Sequence, residues 1–205
     1  MQRSCWRFPT PLRTWGEALG LTRVLRRRSD YGEWDYATER CVDFAIGACL
    51  LLRRSALREC GLFDEGYFMY AEEIDLCRRL DHAGWTTVFT PTCTVLHMGG
   101  GSGQGETSTL FLQARARYFF KWYGAAGVAT LRAGVGCGAV LRLIGFGLAD
   151  LPGRDNRGYQ RTRLRRLASE LCWAWRPSSF ASDARHVTAL ETALGTNSPQ
   201  GPIGE

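Results

Sequence analysis

A chain of 205 residues, 45% of them hydrophobic, is long enough to bury one real core, alone or with an appendage. Its net charge of +6 is uneven: residues 29–106 carry six basic and thirteen acidic side chains, and residues 107–180 carry twelve basic and three acidic. Such an acidic block, with residues 1–28 basic again on its other side, suggests a cation-using site flanked by anion-facing surfaces, whether the anion is a phospholipid, a diphosphate or a nucleic acid. None of the eight cysteines forms a C-x-x-C pair, which argues against a zinc ribbon or a redox motif. They are expected to be reduced and mostly buried, in a cytosolic protein, since Met1 is followed by Arg3 and Arg7 without an apolar segment.

In chain order, residues 1–40 read as loop with a short helix near Trp15–Arg28. The run VDFAIGACLLL at 42–52 is nearly continuous in apolar residues and predicts a buried strand. A short helix is expected from Ser55, capped by its hydroxyl and stopped by Gly61. Residues 62–71 read as a loop. Residues 72–83 (EEIDLCRRLDHA) read as a helix with acids in its first turn, bases after them and Gly84 at its end. Short strands are expected at 85–89 and 93–97, then a glycine-rich loop, GGGSGQG, at 99–105. Residues 107–123 read as a helix ending at Gly124. Residues 125–148 are apolar but carry Arg132 and Arg142, which predicts helices packed on a core or lying on a membrane face rather than a spanning segment.

The segment from Phe63 to His97 holds the candidate chemistry. Asp64, Glu65, Glu72, Glu73 and Asp75 fall within a dozen residues, and His97 stands twenty-two residues after Asp75. Carboxylates at a helix start facing a histidine at a strand end can hold a divalent cation. They can also supply a general base, because crowded acids raise one another's pKa. The plainer alternative is that the acids complement the helix dipole and His97 is a loop residue. Asp75 suits an ion pair with Arg78 at i,i+3. Phe63, Phe68 and Tyr70 can stack on a sugar face, although aromatics in such loops more often anchor a core. The glycine run matches no phosphate-loop pattern and reads as a lid or a linker.

The ordered set Gly47-Ala48, Arg53-Arg54, Gly61, Phe63-Asp64-Glu65, Phe68, Tyr70, Glu72, Asp75-Leu76, Arg78-Arg79, Ala83-Gly84-Trp85 and His97 resembles the family 2 inverting glycosyltransferases, in particular the rhamnosyltransferase-like group. The likeness is strong over residues 42–102 and weaker at RFPT (7–10) and RYFFKWYG (117–124). It implies an α/β fold: a partial GT-A (nucleotide-diphospho-sugar transferase-like) fold with an appended helical C-terminal region. It also implies transfer of a sugar from a nucleotide-sugar donor to a glycan or lipid-linked acceptor hydroxyl in one in-line displacement with inversion. By family position the base falls on Glu73, where the pattern usually has Asp, with Glu72 orienting the site. Asp43, Gly47, Ala48 and Asp75 fall on the acceptor side, and His97 matches a late metal ligand.

The same resemblance implies a divalent metal, Mg or Mn, provided the donor-binding half is present. No two aspartates stand two residues apart, so the Asp-x-Asp motif expected of that half is not found, nor is a βαβ pattern before residue 42. The expectation is therefore the acceptor-side half of a GT-A glycosyltransferase domain at 1–106, a helical region at 107–194 that could meet a membrane surface, and a disordered tail at 195–205. The donor half would come from a partner chain, and the fragment alone would be inactive. The expected setting is the cytoplasm, at the inner face of the cell membrane, with no nucleic-acid partner. The competing reading is a non-catalytic remnant or a protein that binds a membrane or another anionic surface.

Overall fold

The computed structural model describes residues 3–21, 34, 36–97, 107–149 and 157–175. The elements, in chain order, are β1 (Cys5–Trp6), α1 (Pro11–Ala18), β2 (Arg40–Val42), β3 (Phe44–Ala45), α2 (Arg54–Cys60), α3 (Glu72–His82), β4 (Thr87–Phe89), α4 (Thr107–Ala149) and α5 (Arg157–Trp175). The fold is mixed helix and sheet with a long helical region. The chain divides into two compact units, the first holding the strands with α2 and α3, the second holding α1, α4 and α5. The glycine run at 99–105 and the tail from residue 195 lie outside the described residues, as does the part of the expected first helix beyond residue 21.

In the first unit the predicted strand at 42–52 is replaced by two short ones. β2 pairs antiparallel with β4 (Arg40↔Phe89, Cys41↔Val88, Val42↔Thr87), whereas β3 pairs antiparallel with β1 (Cys5↔Ala45, Trp6↔Phe44). The change of partner falls at Asp43, whose Oδ2 accepts the Phe8 backbone N–H at 2.8 Å. Beyond Ala45 the chain turns at Gly47–Ala48. No described strand pairs with residues 47–52, and Leu51 is fully exposed. An apolar run without a partner ladder cannot hide its backbone groups as a strand must. The second predicted hairpin strand, 93–97, is likewise unpaired and exposed among the described residues. Around β1 the rings of Trp6 and Phe8 stack on Phe44, and the Tyr36 hydroxyl donates to the Cys5 carbonyl at 3.3 Å.

α2 begins at Arg54, one residue before the expected start, and Arg53 at its N-cap makes no side-chain capping bond, so Ser55 lies inside the helix. Gly61 ends it as expected, at φ 79°. α3 covers almost the whole predicted helix and packs on α2 through a core of Ala56, Leu76 and Leu80, with Leu52, Leu57 and Trp85 around them. These two helices are also joined by charge. Asp75 has no exposed surface, and Arg79, one turn on, donates from Nε to its Oδ2 at 3.0 Å. The same guanidinium donates to the carbonyls of Cys60, Gly61 and Leu62, the last at 2.7 Å. Arg79 thus supplies donors to the end of α2 while neutralising a buried carboxylate in α3.

In the second unit α4 does not stop at Gly124 but bends there, at φ 64° and ψ −163°, a conformation close to exclusive to glycine. α1, capped by the Thr10 hydroxyl with Pro11 in its first turn, lies against α4. Gly134 and Gly138 make that approach possible: a Cβ at Gly134 would come within 3.1 Å of the Thr14 methyl, and one at Gly138 within 3.1 Å of the Ala18 Cα. α5 packs along α4, where Arg132 stacks over Trp173 at 5.3 Å and Leu131, Ala139 and Leu167 are buried. The cysteines depart from expectation. All eight are free thiols, but Cys41, Cys49, Cys93, Cys137 and Cys172 are exposed: Cys41 on a short strand, Cys137 and Cys172 on outer helix faces, and Cys49 and Cys93 in irregular chain.

The Asp75–Arg79 clamp generates a stability prediction. Arg79→Met strands a buried carboxylate and should cost about 3–5 kcal/mol. Adding Asp75→Asn removes the stranded charge and should recover part of that loss, read from urea midpoints. Equal losses in the single and double variants would mean that the buried charge is not what Arg79 compensates.

Candidate functional site

The first turn of α3 carries the candidate site. It is launched by two consecutive non-glycine residues in the left-handed region, Tyr70 at φ 70° and Ala71 at φ 65°. Backbone strain of this kind costs on the order of 1–3 kcal/mol per residue and persists only where surrounding contacts impose it. Here it turns the chain sharply, so that Glu72 and Glu73 enter the helix side by side and half-buried. The Asp75 N–H then closes the first helical bond to the Ala71 carbonyl at 2.9 Å.

Glu72 and Glu73 each keep one buried oxygen, Oε2, without a hydrogen-bond partner among the described residues. Burial pushes the Glu73 carboxyl up to about 7, and the charge of Glu72 and a hydrogen bond between the two side chains push the same way. A bond from Glu73's own backbone N–H opposes this and is outweighed. A carboxylate that titrates near neutrality, with a free oxygen, is equipped to take a proton. One turn further along α3, the Cys77 thiol is buried against Thr87 and the Ala45 backbone and also feels the charge of Glu73, and burial raises its pKa. Cys77 ties the face of α3 that carries Glu73 to β3 and β4, and the i,i+4 spacing puts the two residues on that one face.

The remaining expected site residues are spread over the strands and the loops. Asp43 anchors Phe8 at the strand switch, and the Arg78 guanidinium lies over the Phe8 ring at 5.7 Å. Gly47 and Ala48 form an exposed turn, and a Cβ added at Gly47 would meet nothing within 4 Å, so the space above that backbone is open. Asp75 lies wholly inside, held by Arg79. The acidic loop is folded by Asp64, which accepts the Gly66 N–H at 2.9 Å on its side chain and the Tyr67 N–H at 3.0 Å on its carbonyl. Tyr67 is buried, whereas Phe63 and Phe68 project into solvent, Phe68 with 86% of its surface exposed, against the expectation that they anchor a core.

His97 sits in an exposed stretch rather than at the end of a strand. Among the described residues no three His, Cys, Asp or Glu side chains converge as metal ligands. The Oε2 atoms of Glu72 and Glu73 are the right chemistry for a hard divalent cation, since Mg is usually held by one or two carboxylates with waters and substrate phosphates completing its shell. Beyond that pair the described residues assemble no metal centre.

Comparison with known proteins agrees with the motif set. The family model described as glycosyltransferase-like family 2 matches residues 23–125, half of the chain. Over 84 residues, 40% of this chain, the sequence is 45% identical to the N-acetylglucosaminyl-diphospho-decaprenol L-rhamnosyltransferase of Mycobacterium tuberculosis H37Rv, and the match covers 27% of that protein. It is 40% identical, again over 84 residues, to the rhamnosyltransferase WbbL of Escherichia coli K12, covering 32% of that protein. The match thus spans about a third or less of these relatives' length. No solved structure matches the chain significantly.

The raised pKa of Glu73 fixes the sign of a pH effect. Between about 4.5 and about 7 the unfolded carboxyl is ionised while the folded one keeps its proton, so stability falls as pH rises through that window. Glu73→Gln cannot ionise. It should be more stable than the parent above pH 7, by on the order of 1–3 kcal/mol, with the gap closing towards pH 4.5. Denaturant midpoints across that range measure it, and a pH-independent difference would show that Glu73 titrates normally.

Proposed function

Because this chain belongs to glycosyltransferase-like family 2, we propose that it carries the acceptor side of a glycosyl transfer from a nucleotide-sugar donor to the hydroxyl of a glycan or lipid-linked acceptor, on a GT-A-type scaffold and with inversion. The observation that carries this reading is Glu73, a carboxyl brought to about 7 at the strained entrance of a helix. In the proposed reaction its free oxygen takes the proton from the acceptor hydroxyl as that oxygen attacks the anomeric carbon. The bond to the nucleoside diphosphate breaks on the opposite face. Glu72 holds Glu73 in place and keeps its proton affinity high. Asp43 and the open turn at Gly47–Ala48 border the acceptor, and Asp75 acts on it only through the loop that Arg79 fixes. The exposed ring of Phe68 is available to stack on a sugar face. The named acceptor of the M. tuberculosis relative, a diphospho-decaprenol-linked N-acetylglucosamine, supports a lipid-linked acceptor here.

A second element of the proposal is that the helical unit works at the cytoplasmic face of the membrane. Leu110–Gly145 is long and apolar enough, by length and composition alone, to cross a bilayer, and Phe120, Val140, Leu141 and Ile144 on α4 are exposed. With the basic residues of 107–180, that combination suits an anionic interface.

Two measurements test these readings. In a transfer assay with the full chain and a partner chain that supplies the donor-binding half, Glu73→Gln should lower kcat by roughly 10²–10⁴-fold with little change in acceptor KM. The rate of the parent should rise with pH through about 7. Glu72→Gln should move that midpoint down, because the repulsion that raises Glu73 is gone. An unchanged kcat in Glu73→Gln removes it from the chemistry. Separately, the chain should co-sediment with vesicles containing anionic lipid, less so at high salt, and equally well as Glu73→Gln. Indifference to anionic lipid would remove the membrane from the proposal.

A further inference from the structure

The helical unit contains a cavity of about 230 Å³ between α1, α4 and α5. Three arginines line it, Arg115 and Arg142 from α4 and Arg166 from α5, against two glutamates, Glu17 from α1 and Glu170 from α5. The two acids are held differently. Glu170 is buried, and both its oxygens are used, by Arg142 at 2.9 Å and Arg166 at 3.3 Å. Glu17 is half-exposed and meets Arg115 only at 3.3 and 3.4 Å.

Arg115 is therefore the cation of the cavity whose carboxylate partner is exposed and loosely held. Its side chain retains 15% of its surface, and its Nε is buried with no hydrogen-bond partner among the described residues. Its Nη2 reaches the Thr14 hydroxyl at 3.3 Å, and its guanidinium lies near the Phe111 and Phe119 rings, at 5.7 and 6.0 Å, which fixes the plane of the fork. The wall beside it is Gly134, where a side chain would strike Thr14. A rigid guanidinium fork, a neighbouring hydroxyl and an excess of positive charge are the groups that recognise phosphate.

We propose that this cavity is a phosphate-binding site in which a phosphate or diphosphate group takes the place of Glu17 on Arg115, with Thr14 and Arg142 completing the contact. Glu17 is the group to be displaced, since it is exposed and weakly placed, while Glu170 stays as the bridge between Arg142 and Arg166. The cavity has room for the anionic group and little more, small beside sites of roughly 300–1,000 Å³ that enclose whole drug-sized ligands. The ligand is accordingly either a free phosphate or the phosphate headgroup of a lipid whose chains remain outside. This inference does not depend on the glycosyl transfer proposed above.

The test is binding to the full chain at low salt. One arm is calorimetric titration with inorganic pyrophosphate. The other is co-sedimentation with phosphatidylcholine vesicles with and without phosphatidic acid. Arg115→Gln should weaken binding at least tenfold in whichever arm shows it. Glu17→Gln removes the internal competitor and should tighten it several-fold, which a purely structural Arg115–Glu17 pair would not do. Far-UV circular dichroism of both variants checks that the helices are kept, and if Arg115→Gln does not fold, the sign of the Glu17→Gln effect decides alone. Arg115-dependent binding of pyrophosphate identifies a site open to free phosphate. Arg115-dependent binding confined to phosphatidic acid vesicles identifies a headgroup site. No binding in either arm, or binding that neither substitution alters, overturns the proposal.

Discussion

The first unit depends on one buried charge. Asp75 lies at zero exposure in the first turn of α3, a position where an unpaired carboxylate is not tolerated. Arg79 resolves this and does more than neutralise it, because its remaining donors go to the carbonyls at the end of α2 and into the loop after it. The Gly61 turn and the start of the acidic loop are therefore held against α3 from inside. Surface ion pairs add little to a fold, whereas a buried pair with its other donors satisfied fixes geometry. That fixed geometry is what allows the irregular chain of residues 61–71 to return to α3 at a steep angle and to hold Tyr70 and Ala71 in left-handed conformations.

That return angle determines how the two carboxylates are placed. Had the chain entered α3 through an ordinary extended cap, a Ser, Thr, Asp or Asn at that position would bond the free N–H groups, and the acids after it could remain in solvent. Ala71 offers no such oxygen. Glu73 instead bonds its own backbone N–H. The two carboxylates are thereby crowded and half-buried rather than spread over a helix surface.

Much of this is legible in the residues taken in order. The acids of the first turn, the bases of the last and Gly84 mark α3 almost to the residue, because helix-end chemistry is local. Gly61 and Gly124 are legible as interruptions for the same reason, although a glycine at ψ −163° bends α4 where the sequence predicts a stop. The strand at 42–52 is a different case, since apolar continuity reports burial and not pairing. Asp43 ends one ladder and begins another by capturing the Phe8 N–H, thirty-five residues away in sequence. His97 shows the same limit: a strand needs a neighbour, and none is described for 93–97. In the site, Glu72 and Glu73 stand out by their crowding. The role of Arg79 is hidden although it stands four residues from Asp75, because its other partners lie at the end of α2 and in the loop after it, and no spacing within α3 points to them.

Two opposed effects act on Glu73, and their balance suits a glutamate to the role of base proposed for it. The exposed N–H groups of a helix start favour a negative charge and pull a carboxyl's pKa down. Burial and a like-charged neighbour push it up, and at Glu73 they outweigh the helix end and leave the group near 7. Either influence alone gives a poor base. A fully exposed acid at a helix start is ionised at every physiological pH but has little affinity for a proton, and a fully buried one would hold its proton throughout. The extra methylene of glutamate over aspartate lets the carboxylate fold back to its own N–H while the other oxygen stays unbonded. The strained turn, the buried clamp beneath it and the longer side chain thus act on the same quantity, the proton affinity of a single oxygen.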